Sequence, residues 1–145
     1  MRPGFGQFKF PSPEYLRFAA QYGVKDILLN TPELEQSKPG VWSKKELIKL
    51  RLNIESYGLQ LSAIENVPTD FYDHIMLGGE KSDQQKENMI ENISNMADAG
   101  IPIFGYNWMP SHVWRTDPVT IRGGATATAF DYSIAKQIPN THDRE

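Results

Sequence analysis

Gly58-Leu59-Gln60-Leu61-Ser62-Ala63-Ile64-Glu65-Asn66 decides the fold. Glycine takes the left-handed cap that ends a helix without a Cβ penalty, and the largely apolar run from Leu59 to Glu65 then reads as a buried strand. The same junction recurs on both sides. A helix opens at Ser12-Pro13-Glu14, with Ser12 as N-cap and Pro13 where its missing N–H costs nothing, and it stops at Gly23 before a strand over Val24 to Asn30. Tyr15, Phe18, Ala19 and Tyr22 recur at helical spacing, which predicts one buried stripe.

The second helix begins at Ser43, where Glu46 completes a capping box, and Leu47, Leu50 and Ile54 carry its apolar face. Lys44, Lys45, Lys49 and Arg51 read as its solvated outer face. The third runs from about Asp83 to Ala99, with Met89, Ile93, Met96 and Ala97 as core filler, and closes at Gly100 before a strand over Ile101 to Asn107. Gly4 to Phe10 supplies an earlier strand, and a short helix through Tyr132, Ile134 and Ala135 follows Asp131.

Strands separated by helices must be joined by crossovers and lie parallel. The glycine stops at 23, 58 and 100 fall at the repeat length of a (β/α)8 barrel, whose eight units need about 250 residues. The expected class is therefore α/β, a partial (β/α)8 TIM barrel of about four parallel strands and three to four helices. It spans 1–138 and is followed by a polar tail at 139–145. A doubly wound open sheet is the competing architecture.

Composition narrows the function. With 15 Lys plus Arg against 18 Asp plus Glu in 145 residues, the net charge of −3 offers no electrostatic footprint for nucleic acid. The absence of cysteine excludes disulfides, thiolate metal sites and a thiol nucleophile from this stretch. No apolar run reaches membrane-spanning length and no secretory leader opens the chain, so a cytoplasmic location is expected. The sequon at Asn92 falls inside a helix and reads as chance.

Both architectures gather ligands at the C-terminal ends of their strands. That rule selects Lys9, Asn30, Glu65, Asn66, Tyr106, Asn107 and Trp108. Glu65 follows buried strand residues directly, where a carboxylate is held rigidly as acid, base or hydroxyl acceptor, or else forms a cap or loop salt bridge. Asn107 offers a donor and an acceptor to a polyol, or orders its own loop. On the long aromatic loop from Trp108 to Phe130, His112 is a proton carrier or a hydrogen-bonding loop residue. Arg115 and Arg122 have the fork that grips a sugar-acid carboxylate, although loop arginines also pair with neighbouring acids. Asp70, Asp73 and His74 form an acidic and imidazole cluster that reads better as a solvated loop than as a metal grip. No nucleotide fingerprint, nucleophile elbow or H-E-x-x-H pair is present.

Ala63-Ile64-Glu65-Asn66-Val67-Pro68, Gly105-Tyr106-Asn107-Trp108-Met109-Pro110, Val113-Trp114-Arg115-Thr116-Asp117 and Thr128-Ala129-Phe130-Asp131 together resemble the mannonate dehydratase family. The likeness covers nearly all of residues 1 to 138. It implies a lyase of hexuronate catabolism, a metal-dependent barrel that removes water from D-mannonate to give 2-keto-3-deoxy-D-gluconate. It also implies Mn2+ or Fe2+ in the complete enzyme, held with the main proton-transfer residues on later strands. This chain is thus expected to hold no metal by itself, and its catalytic residues are unassigned. Glu65, Asn107 and Arg115 stand at matching motif positions as substrate-pocket or pocket-supporting residues; His112, without a clear counterpart in the family, joins them from its place on the loop. Two departures stand out from better-known members: a mouth loop one residue shorter between Trp114 and Arg115, and a first strand, Gly6-Gln7-Phe8-Lys9, without their Trp-Tyr-Gly ending.

The expected partner is a sugar acid, with neither nucleic acid nor membrane, and a second copy could pair through unpaired sheet edges. Two other readings compete. One is a metal-dependent sugar isomerase or epimerase with Glu65 as a metal ligand; the other is a non-catalytic binding or assembly module.

Overall fold

The computed structural model describes residues 1–108, 110 and 113–137. Contacts divide the chain into two compact units, Met1–Trp108 and a second beginning at Met109.

In the first unit, β1 (Gly4–Phe8), β2 (Asp26–Asn30), β5 (Gln60–Asn66) and β6 (Ile103–Phe104) form one parallel sheet in the order β1-β2-β5-β6. The connections carry α1 (Pro13–Gln21), a small antiparallel hairpin of β3 (Gln36–Lys38) and β4 (Val41–Trp42), α2 (Lys44–Glu55), α3 (Asp73–Leu77) and α4 (Ser82–Asp98). The partial (β/α)8 class read from the sequence is the one observed. Gly23, Gly58 and Gly100 all take positive φ, near 72 to 75°, where the helices stop. Ser12 caps α1 as expected, its Oγ accepting the Tyr15 N–H at 3.2 Å. The core lies where Ile27, Leu29, Leu61 and Ile64 of the sheet meet Leu16, Leu47, Ile54 and Met96 of the helices, all essentially inaccessible.

Four expectations change in this unit. The aromatic stripe of α1 is not buried: Tyr15, Phe18 and Tyr22 are exposed, while Leu16 and Ala19 face the core. Tyr15 and Phe18 pack with Phe5 and Phe8 of β1, and Tyr22 packs on Phe18; β1 is an edge strand with no further element beyond it in the sheet to cover them. The capping box at Ser43 does not close, because the Ser43 N–H already donates to the Glu35 carbonyl at 3.0 Å and Glu46 turns to Lys49. The stretch after Pro68 is not a solvated loop. It forms a 3-10 turn at Thr69–Phe71 and then α3, tied down by the Gln85 amide, which donates to Asp73 Oδ1 at 2.6 Å and to the Asp70 carbonyl at 2.9 Å.

The fourth change is the largest. The buried face of α4 is Gln85, Asn88, Asn92 and Met96, while Ile90 and Ile93 are exposed. The inward amides hold the β3–β4 hairpin by its backbone. Asn92 accepts the Trp42 N–H at 2.8 Å and donates to the Gly40 carbonyl at 2.8 Å. Asn88 donates to the Pro39 carbonyl and Asn95 to the Trp42 carbonyl, each at 3.1 Å. Short strands expose backbone groups that must be satisfied when covered, and a carboxamide serves a donor and an acceptor at once.

At the N-terminal end of the sheet, Asp26 is buried against the Arg2 guanidinium at 2.5 Å and accepts a short hydrogen bond from Ser62. The Ser62 hydroxyl and then Arg2 hold its carboxyl below the ordinary 3.8, against an opposing effect of burial. A depressed folded-state pKa contributes stability above the unfolded value, lost as pH falls through the folded one. The thermal midpoint is therefore expected to decline as pH drops below about 3.8. In Asp26→Asn the decline should be shallower from a lower starting midpoint, which thermal melts across a pH series will check.

The second unit contains an antiparallel pair, β7 (Thr116–Thr120) with β8 (Thr126–Ala129), and α5 (Tyr132–Ala135). The stretch read as an aromatic loop thus holds a hairpin, turned through Arg122–Gly124. Asp131 caps α5, its Oδ1 accepting the Ser133 N–H at 2.8 Å.

Candidate functional site

Polar side chains gather at the C-terminal ends of the parallel strands. Glu65 leaves β5 half-buried, with Oε1 accepting a hydrogen bond from Gln7 Nε2 at 2.6 Å. Its other oxygen, Oε2, is buried and meets no donor among the described residues. A buried acceptor left unpaired costs about 1–3 kcal/mol, which makes this oxygen the acceptor with most to gain from a further donor. Beside it the Asn66 amide donates to Asn30 Oδ1 at 3.1 Å, which joins the ends of β5 and β2.

The backbone is strained at the same rim. Gln7 and Thr31 are the non-glycine residues with positive φ among the described residues, at 67 and 45°. They stand at the end of β1 and just beyond β2. Gln7 is the extra residue of a bulge, since Gly6 pairs with Leu28 and Phe8 with Leu29. Gly105, just past β6, lies so close to the Glu65 backbone that a Cβ would overlap its carbonyl oxygen, and its N–H donates to the Ile64 carbonyl at 2.8 Å.

Asn107 has a different neighbourhood. Its Oδ1 accepts the Tyr72 hydroxyl at 3.1 Å, and Trp108 stacks on Tyr72 with ring centroids 5.6 Å apart. The Asn107 amide nitrogen keeps its donor role. These residues edge an apolar groove of about 740 Å³ walled by Val67, Met89, Ile93 and Phe104. Asn107 therefore orders its loop through Tyr72 and lies at the edge of the groove.

Of the expected site residues, Glu65 and Asn107 lie in the first unit and pair with Gln7 and Tyr72, not with each other. Arg115 is exposed in the second unit, its Nη1 donating to Thr128 Oγ1 at 3.3 Å across the hairpin. His112 lies outside the described residues, as does the expected tail at 139–145. Lys9 is drawn to Glu33 at 3.8 Å, both exposed. Asp73 is structural: the Gln85 amide, then the His74 backbone N–H, keep its carboxyl below the ordinary range. Gln7 and Tyr72 were not singled out from the sequence; a glutamine at the end of the first strand is the signal that could have marked the former.

Among the described residues no three His, Asp or Glu side chains converge. The donor set present does not fit a Mn2+ or Fe2+ centre, and no step through such an ion is assigned to these residues.

Four parallel strands joined by helical connections, in the order β1-β2-β5-β6, define the partial (β/α)8 class of scaffold. Residues 10–143 match the family model described as D-mannonate dehydratase (UxuA). The chain belongs to that family.

Its relatives include the mannonate dehydratase of Thermotoga petrophila, 41% identical over 118 residues, which are 80% of this chain and 31% of that protein. The mannonate dehydratase of Streptococcus agalactiae serotype Ia is 36% identical over 100 residues, 68% of this chain and 28% of that one. The crystal structure of mannonate dehydratase from Streptococcus suis serotype 2 superposes with a TM-score of 0.72 at 27% identity, covering 90% of this chain and 37% of its own. The chain thus spans roughly three tenths of the length of these curated relatives.

Proposed function

We propose that this chain forms the first-strand side of a D-mannonate dehydratase pocket, binding the sugar acid without completing the dehydration alone. The observation that carries this reading is the buried Glu65 Oε2, an acceptor awaiting a hydroxyl. The Asn107 amide nitrogen donates to the polyol chain, while Arg115 of the second unit is by itself a candidate fork for a carboxylate and His112, a candidate polar contact, lies outside the described residues. Loss of water across C2 and C3 requires a base for the C2 proton, an acid for the departing 3-hydroxyl, and positive charge for the enediolate. The described residues offer no convergent set for all three, so those roles fall to the parts of the enzyme that bind Mn2+ or Fe2+.

The reading carries a cytoplasmic location. No described helix is long and apolar enough to cross a membrane. The edges of the sheet, β1 and β6, make a second copy of the chain the natural protein partner.

The test adds D-mannonate to the purified chain, with and without Mn2+. Saturable weak binding is expected, reduced about fivefold to tenfold in Glu65→Gln by loss of a charge-assisted hydrogen bond, with no 2-keto-3-deoxy-D-gluconate formed. Sustained product formation by the chain alone would contradict the proposal.

A further inference from the structure

We infer that Gln7 is a positioning residue for the sugar-acid pocket: a strained bulge aims its amide at one oxygen of Glu65 and thereby presents the other to the ligand. The inference rests on the reading of Glu65 as a substrate contact and goes beyond it by assigning what orients that carboxylate.

Three observations converge on Gln7. It is the inserted residue of a β-bulge, unpaired between Gly6 and Phe8. Bulges re-aim side chains, and next to binding sites they do so for function. Its φ of 67° is one that side-chain-bearing residues seldom take, so the surrounding structure must impose it. Gly6 contributes to that imposition: a Cβ there would overlap the backbone of Leu28, so β1 approaches β2 too closely for any larger residue.

The third observation is the reach of the side chain. Gln7 stands on β1 and Glu65 on β5, with β2 between them in the sheet, yet Nε2 meets Oε1 at 2.6 Å. Side chains from alternate strands share a layer in a curved parallel sheet, so this bond spans the concave side at the strand ends. A carboxylate with one oxygen fixed loses most of its freedom to rotate. Its second oxygen, buried and without a donor, is then oriented before the ligand arrives.

Gln7→Gly separates positioning from mere support, because glycine accepts the left-handed backbone while removing the amide. Relief of strain should offset the lost bond and hold the thermal midpoint within about 2 °C. With the carboxyl carbons isotopically labelled, the Glu65 resonance should shift and broaden in the variant, with or without ligand. D-mannonate affinity should fall about tenfold in the Glu65 background and stay unchanged when Gln7→Gly is added to Glu65→Gln.

An unmoved Glu65 resonance overturns the inference, as does an equal affinity loss in both backgrounds or a midpoint drop beyond about 5 °C, which would mark a structural clamp. If the unaltered chain binds no D-mannonate, the pocket reading fails and the positioning claim fails with it. A Glu65 resonance that still responded to Gln7→Gly would then report a hydrogen bond of structural use only.

Discussion

Asn92→Leu is expected to lower the unfolding free energy by about 3–5 kcal/mol, a large part of the stability of a domain this size. The leucine fits a helix better than asparagine and adds apolar surface, so local propensity alone predicts no loss. The cost comes from the partners. Asn92 is fully buried, and its amide satisfies the Trp42 N–H and the Gly40 carbonyl, both on the β3–β4 hairpin. Leucine leaves a buried donor and acceptor unpaired, at about 1–3 kcal/mol each, and displaces the hairpin that seats Trp42 in the core. Urea unfolding of the two proteins checks this. A difference below about 1 kcal/mol would mean that the hairpin is held by Trp42 packing and not by the amide ladder.

The second large effect is expected at Gly105→Ala. One methyl group is a small change on most strands, but here it must enter the space of the Glu65 backbone, which cannot swing aside as a flexible side chain would. Overpacking of this kind costs about 1–3 kcal/mol. The pairing of β6 rests on two residue pairs, Ala63 with Ile103 and Ile64 with Phe104, so displacement of Gly105 should loosen the strand. D-mannonate affinity should fall with stability, because the displaced carbonyl belongs to Glu65, the residue proposed as the ligand contact. Parallel unfolding and binding measurements test both effects. Full affinity in a destabilised variant would separate Glu65 from the strand that abuts it.

Both predictions concern residues whose role lies between elements, and there the sequence is hardest to read. The glycine stops at 23, 58 and 100 and the run from Leu59 to Glu65 are local signals, set by backbone sterics and apolar burial within a few residues, and they mark the α/β order. The aromatic face of α1 misleads because periodicity identifies which side chains share a face, not whether an element exists to cover it. For α4, apolar periodicity points at Met89 and Ile93, while the buried amides answer to backbone groups some fifty residues away. Gln85, Asn88, Asn92 and Asn95 do recur at helical spacing, and that stripe of carboxamides was a legible sign of a buried polar face.

The site divides along the same line. Glu65 and Asn107 are candidates because strand ends in parallel sheets are where ligands gather, a rule that needs only the strand boundaries, and their place at those ends is what was legible. Gln7 was not, because its positive φ and its reach over β2 arise from a bulge that local propensity disfavours.

The decisive property of this chain is whether the Glu65 rim receives the sugar acid. The most direct test is a residue-resolved titration of the isotopically labelled chain with D-mannonate. The expected result is saturable shifts concentrated at Gln7, Glu65, Asn66 and Asn107, with the midpoint moved to about fivefold to tenfold higher ligand in Glu65→Gln. Shifts confined to the N-terminal ends of the strands around Asp26 and Ser62, or unchanged by Glu65→Gln, would contradict it.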